Sequence, residues 1–180
     1  MFIEFIMESL KMTDSQPLVN NDLLSDKWVL YAHLPHDTDW SMKSYKIIKT
    51  VNTVDEIIAL FNVIPDKLVK NCMLFIMREG ITPRWEDEKN KNGGCFSFKV
   101  PNKSVLSVWK NISYALVGES LGKKIDYSKS MNGITISPKR AFCIIKVWLN
   151  SCNHQSPYIL NDIPELNTHG CIFKKHNPEY

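Results

Sequence analysis

The sequence predicts an α+β fold in which helices pack on one face of an antiparallel sheet, and three observations carry that reading. Segments with strand alternation outnumber segments with helical periodicity. Hairpin-like connections between several of the strands favour antiparallel pairing. Both clear helical segments are amphipathic, each with an apolar stripe that must be buried against something. With 180 residues, 44% of them hydrophobic, the chain can fill one core and is short for two. Residues 1–25 are expected to be an N-terminal extension, partly flexible, and residues 26–180 a single domain.

The first strand is expected over 26–34, where Trp28, Leu30, Ala32 and Leu34 alternate with other residues. A turn-like His36-Asp37-Thr38-Asp39 follows, then a second strand over 43–50 with Tyr45, Ile47 and Ile48 as β-formers. Trp40 falls in the connection. Thr53-Val54-Asp55-Glu56 matches a capping box, and Ile57, Leu60, Phe61 and Ile64 continue at helical spacing, predicting a helix to about Asn62. An apolar strand is expected over 71–78. A polar stretch then runs over 79–94 with Gly80, Pro83 and Gly93-Gly94, long enough to suggest a functional loop. Residues 95–100 read as a strand, and 104–119 as a helix with Val105, Trp109, Ile112 and Leu116 on one face. Residues 122–130 read as a Lys-rich loop. Two strands over 133–137 and 141–149 flank Pro138, and a last one is expected over 170–174. In the 141–149 strand, Ala141, Cys143, Ile145, Val147 and Leu149 form an apolar face for the core. Phe142, Ile144, Lys146 and Trp148 form the other, so Lys146 and Trp148 are expected to point together toward accessible space.

Charge excludes one class of function. The balance of 22 Lys and Arg against 19 acids, formally +3, is too even for a protein that coats nucleic acid by charge alone, so nucleic-acid binding has to be local. Five cysteines without regular spacing suit free thiols in a reducing compartment. Residues 1–12 are apolar but interrupted by Glu4 and Glu8 and lack a preceding basic region, unlike a signal peptide. No apolar run approaches the ~18 residues of a membrane span. A cytoplasmic protein without membrane contact is expected.

The stretch Arg78-Glu79-Gly80-Ile81-Thr82-Pro83-Arg84-Trp85-Glu86-Asp87-Glu88-Lys89-Asn90 is the most informative, because a tryptophan in a polar loop has no obvious core to enter, and exposed loop aromatics invite a ligand. Trp40 poses the same question in a second loop. Taken singly, each tryptophan reads more readily as a packing residue. Together with Lys27-Trp28-Val29-Leu30, Thr53-Val54-Asp55-Glu56, the continuation Lys91-Asn92-Gly93-Gly94, Leu116-Val117-Gly118-Glu119-Ser120 and Trp148, they form six ordered landmarks from about Asp26 to Leu149. In these the chain resembles the eukaryotic translation initiation factor 4E family, the mRNA cap-binding proteins.

The resemblance implies a curved antiparallel sheet with helices on the convex back and the cap in the concave front. It implies that Trp40 and Trp85 sandwich the 7-methylguanine, that Glu86 accepts its N1 and N2 protons, and that Trp148 borders the methyl group. Those residue types suit the ligand on physical grounds as well. Methylation at N7 gives guanine a delocalised positive charge, so two indole faces gain a cation–π contribution of up to ~2 kcal/mol beyond stacking worth ~1–3 kcal/mol. A carboxylate that accepts two base-edge protons reads guanine. Of the three neighbouring acids, only Glu86 is expected to aim at the base, with Asp87 and Glu88 as solvated neighbours.

For the cap phosphates the sequence offers Lys139, Arg140 and Lys146, each of which also reads as an ordinary solvated residue. Relatives place Arg or Lys where Cys95 and Ile144 stand. The partner surface implied by the resemblance comprises Pro17, Val54, Ile58, Tyr114 and Gly118. Ile58 replaces a tryptophan there, and Lys110 and Asn111 replace an apolar and acidic pair, so a scaffold factor of the 4G type or a co-adapted equivalent is expected. A cap-binding repressor that does not engage the usual scaffold is the alternative. Neither enzyme activity nor a cofactor or metal is expected. Adjacent Glu86, Asp87 and Glu88 cannot all face one magnesium ion from a regular strand. Cys152, His154, His169 and Cys171 are zinc-ligand types without the spacing of common fingers.

Overall fold

The computed structural model describes residues 22–177. Seven strands form one sheet: β1 (Leu23–His33), β2 (Tyr45–Thr53), β3 (Met73–Arg78), β4 (Gly94–Pro101), β5 (Met131–Pro138), β6 (Phe142–Leu149) and β7 (Ile172–Lys175). Their order is β2-β1-β3-β5-β6-β4-β7, and every pairing is antiparallel. Among the described residues four α-helices accompany them: α1 (Val54–Val63), α2 (Asp66–Asn71), α3 (Val105–Val117) and α4 (Ile125–Lys129). The expected α+β class is therefore the observed one.

Strand alternation sorts the sheet into two faces. Leu30, Ala32, Leu74, Ile76, Ile134, Ile136, Ile145, Val147, Phe96 and Phe98 lie on the convex face, where they meet Ile57, Leu60, Val108, Trp109 and Ile112 from the helices in the main core. Val29, Tyr31, Tyr45, Phe75, Met77 and Trp148 form a separate cluster on the concave face. The main core drives folding, since each fully buried large apolar side chain contributes about 1.5–3 kcal/mol.

Helix α1 starts where the capping box requires. The Thr53 hydroxyl accepts from the Glu56 amide at 3.2 Å, and the Glu56 carboxylate accepts from the Thr53 amide at 3.0 Å. Two short helices depart from expectation. Residues 122–130 contain α4 rather than a plain loop, and α2 follows Pro65, where the expected strand over 71–78 begins only at Met73. Helices of five and six residues are too short for periodicity to reveal. Strand β1 begins at Leu23 rather than Asp26, with a register shift before Trp28.

At one end of the sheet Arg78 ties several elements together. Its guanidinium pairs with Asp26 and Glu119, donates to the carbonyls of Met131 (2.8 Å) and Ser128 (3.1 Å), and stacks over Trp28 at 4.5 Å. Arg78 thereby joins β1, β3, β5, α4 and the end of α3.

Candidate functional site

Cross-strand partners share a face, so the ladder registers define what the concave surface presents. One row across the sheet reads Val29, Met77, Gly133, Trp148, Cys95 and Lys174; the next reads Tyr31, Phe75, Thr135, Lys146, Ser97 and Ile172. Trp148 is 8% exposed, and its indole N–H donates to the Thr135 hydroxyl at 2.8 Å, which fixes the ring as part of the floor. Gly133 is required beneath it: a Cβ there would come within 2.4 Å of the Ile76 carbonyl and the Met77 sulfur.

Two loops build walls on this floor. Trp40 stacks face to face on His33, with centroids 4.1 Å apart and planes 7° from parallel. His33 Nε2 donates to the Asp39 carbonyl at 2.9 Å, and the Asp39 carboxylate accepts from the Ser41 amide and hydroxyl at 2.7 and 2.8 Å. The residues flanking Trp40 are thus pinned, and its outer face stays open. The second wall is the 79–93 loop. Asp87 accepts from the Thr82 amide (2.8 Å) and hydroxyl (2.6 Å) and from the Lys89 amide (2.9 Å). Buried Asn90 donates to the carbonyls of Thr82 and Arg84, and Asn132 donates to Lys89 and Asn90. Burial alone would raise the Asp87 pKa, but the bonds from Thr82 and Lys89 outweigh it and hold the group below its ordinary value.

Between the walls lies a cavity of about 230 Å³ lined by Trp40, Tyr45, Met73, Phe75, Pro83, Arg84, Trp85, Glu86 and Trp148. Trp40 and Trp85, 52% and 48% exposed, are the open aromatics, and Tyr45 and Phe75 meet edge to face beneath them. Glu86 pairs with Arg84 at 3.2 Å. The three acids have different fates, which corrects one expectation: Asp87 is the internal strut of the loop rather than a solvated neighbour, whereas exposed Glu88 pairs with Lys91. The cavity therefore offers aromatic faces and one available carboxylate, a combination suited to a flat cationic heterocycle with N–H donors on its edge.

The cations lie to one side. Lys146 is two residues from Trp148 on the same face of β6, about 7 Å along the strand, while the turn holding Lys139 and Arg140 begins about 20 Å away. Sequence reasoning missed Lys174, which pairs across from Cys95, and His176, whose ring lies 4.7 Å from that of Trp148. It also missed His33, Tyr45 and Phe75, whose strand alternation was the available signal. Cys95 carries no charge near neutral pH, because burial pushes its thiol up against the opposing pull of Lys146 and Lys174.

On the convex side Val54, Ile58, Tyr114 and Gly118 line a second cavity of about 280 Å³ with Leu24, Ile57 and Val117. The Lys110 ammonium lies 5.7 Å over the Tyr114 ring. Pro17 lies outside the described residues. Among the described residues, no group of three or more His, Cys, Asp or Glu side chains is placed to hold a metal, and no helix is long and apolar enough to cross a membrane. Cys152 points to the Asn92 and Gly93 carbonyls, and His154 packs edge-on against Tyr127.

The family profile described as Eukaryotic initiation factor 4E matches residues 23–176. This chain belongs to that family. A mimivirus protein, the eukaryotic translation initiation factor 4E homolog of Acanthamoeba polyphaga mimivirus, is 33% identical over 145 residues, covering 69% of this chain and 53% of its own length. The factor 4E of Eremothecium gossypii is 31% identical over 147 residues, covering 78% and 68%. The chain thus spans between about half and two thirds of these 4E relatives. Among solved structures, C. elegans eIF4E-3 in complex with the 4E-binding protein Mextli and cap analog superposes with a TM-score of 0.67 at 22% identity, covering 77% of this chain and 80% of that one. Schistosome eIF4E complexed with m7GpppG and 4E-BP also gives 0.67, at 21% identity, covering 74% and 75%. At that identity the two structures establish the shared 4E fold.

Proposed function

We propose that this 4E-family chain binds the 7-methylguanosine 5′ cap of mRNA and supports translation initiation in the cytoplasm by recruiting a scaffold partner of the 4G type or a co-adapted equivalent. The observation that carries the reading is the concave cavity bounded by Trp40, Trp85, Trp148 and Glu86. The base enters between the indoles of Trp40 and Trp85, whose π faces favour the N7-methylated, cationic ring over neutral guanine. Glu86 accepts the N1 and N2 protons, leaving Arg84 as it does so, and the methyl group lies against Trp148. The mode is binding rather than catalysis. Of the three cations expected at the phosphates, Lys146 is nearest to Trp148 along β6. Relatives in complex with cap analogs and with 4E-binding proteins support both halves of the proposal.

Fluorescence titration with 7-methyl-GTP and with GTP tests the reading. Trp40 and Trp85 flanking one methylated ring should bind 7-methyl-GTP at least about tenfold more tightly, the equivalent of ~1.4 kcal/mol of cation–π energy. Equal affinities would overturn the sandwich.

A further inference from the structure

We propose that Lys146, Lys174 and His176 form a phosphate path beside Trp148, in place of the cations that the family resemblance implies at Cys95 and Ile144; it rests on the cap-binding reading above.

The geometry that points to it is the meeting of three elements. Trp148, Cys95 and Lys174 occupy one row of the ladder, and Lys146 occupies the next, opposite Ser97. The two lysines therefore flank a strip of small side chains next to the base cavity. Among the described residues neither lysine is paired with a carboxylate, and the thiol between them is neutral and does not repel an anion. His176 follows Lys174 by two residues. Its amide donates to the Gly93 carbonyl at 2.9 Å, and its ring packs on Trp148. Nδ1 lies 2.8 Å from the Asn90 carbonyl and must donate to it, so in the neutral ring Nε2 carries the lone pair. That Nε2 is buried without a hydrogen-bond partner.

A buried acceptor without a donor is a cost in the free protein. Around the ring, β6 presents Lys146, β7 Lys174, β4 the neutral Cys95 thiol, and the 79–93 loop the Asn90 carbonyl. Burial keeps the imidazole below its ordinary pKa, the Asn90 bond offsets this in part, and Lys146 adds to the depression. A phosphate oxygen arriving beside the lysines offsets their field and so favours a proton on the imidazole. The bound-state pKa rises, so binding of a phosphate-bearing cap takes up a proton and tightens as pH falls toward that value, whereas the nucleoside lacks this linkage.

The experiment compares 7-methylguanosine, 7-methyl-GTP and GTP on the wild-type chain and on Lys146→Gln, Lys174→Gln and His176→Gln, with circular dichroism as the folding control. Each lysine variant is expected to lose about three- to tenfold in affinity for 7-methyl-GTP and nothing for the nucleoside. Calorimetry in two buffers of different ionisation enthalpy is expected to show less proton uptake for His176→Gln than for wild type with 7-methyl-GTP; the ligand's own ionisation is common to both proteins and cancels. A histidine that merely props Trp148 would weaken nucleoside and triphosphate alike and leave proton uptake unchanged, which overturns its role. Lysine variants within about twofold of wild type for the triphosphate overturn the path, and loss instead in Lys139→Gln or Arg140→Gln would move the phosphates to the hairpin turn. If the wild-type chain does not separate 7-methyl-GTP from GTP, it is the cap reading that has failed, independently of the lysines.

Discussion

At the residue scale, Glu86, Asp87 and Glu88 share a charge and differ in what they touch. Glu86 lines the cavity and pairs with Arg84, whereas Asp87 is enclosed by Thr82 and Lys89. Glu86→Gln should cost about 2–5 kcal/mol of cap affinity, because one carboxylate oxygen becomes a donor facing donors. Glu88→Gln should cost almost nothing. Asp87→Ala is expected to weaken binding by a different route, through loss of loop order, which amide exchange over 79–93 would reveal and which Glu86→Gln should leave unchanged. The Asp87 pKa is depressed, so its support is complete above the ordinary carboxylate range and is lost only as pH falls through its lower folded value. Asp87 therefore adds no pH dependence to binding near neutrality. Removing one stacking face with Trp85→Ala should cost on the order of 2 kcal/mol, read by the same titration.

At the scale of elements, the cavity depends on groups well outside it. Asn132 on β5 reaches across to the loop, donating to the Lys89 carbonyl at 2.7 Å and to Asn90 at 2.9 Å. Asn132→Ala leaves the buried Asn90 side-chain oxygen without its donor, and should lower stability by about 1–3 kcal/mol in chemical denaturation. Arg78 is a larger case, since its partner Glu119 is as deeply buried as the guanidinium itself. Arg78→Leu should destabilise by about 3–5 kcal/mol, and adding Glu119→Gln should recover part of the loss, because the isolated buried charge is what costs most. Polar loop surroundings marked Trp40 and Trp85 in the sequence and strand alternation marked Trp148, while Glu86 stood out only through the family resemblance. The sequence could not show Lys174 or His176, because their relevance comes from β7 pairing with β4, a contact that joins Cys95 to a strand almost eighty positions later. Helix α1 was legible through its cap, while α2 and α4 lack the length that makes a periodic signal.

At the scale of the whole molecule, one sheet separates two cavities, one between the aromatic loops of the concave face and one between α1, α3 and β1 on the convex face. Changes on one face should therefore leave equilibrium binding on the other nearly unaltered. Under the proposed function, the apolar lining of the convex groove suits the apolar face of an amphipathic partner helix. Ile58, 42% exposed, presents an aliphatic side chain where a tryptophan would add aromatic area and an indole N–H, and Lys110 sets a cation over the Tyr114 ring at its edge. A scaffold peptide matched to the tryptophan surface should bind this chain weakly, since an anchor of that kind carries more than ~2 kcal/mol, over tenfold in affinity. Ile58→Trp with Lys110→Leu should recover that factor in a peptide titration while leaving 7-methyl-GTP affinity unaltered. Tight binding of the same peptide to the unaltered chain, insensitive to substitution at Ile58, would place the partner surface elsewhere on the convex face.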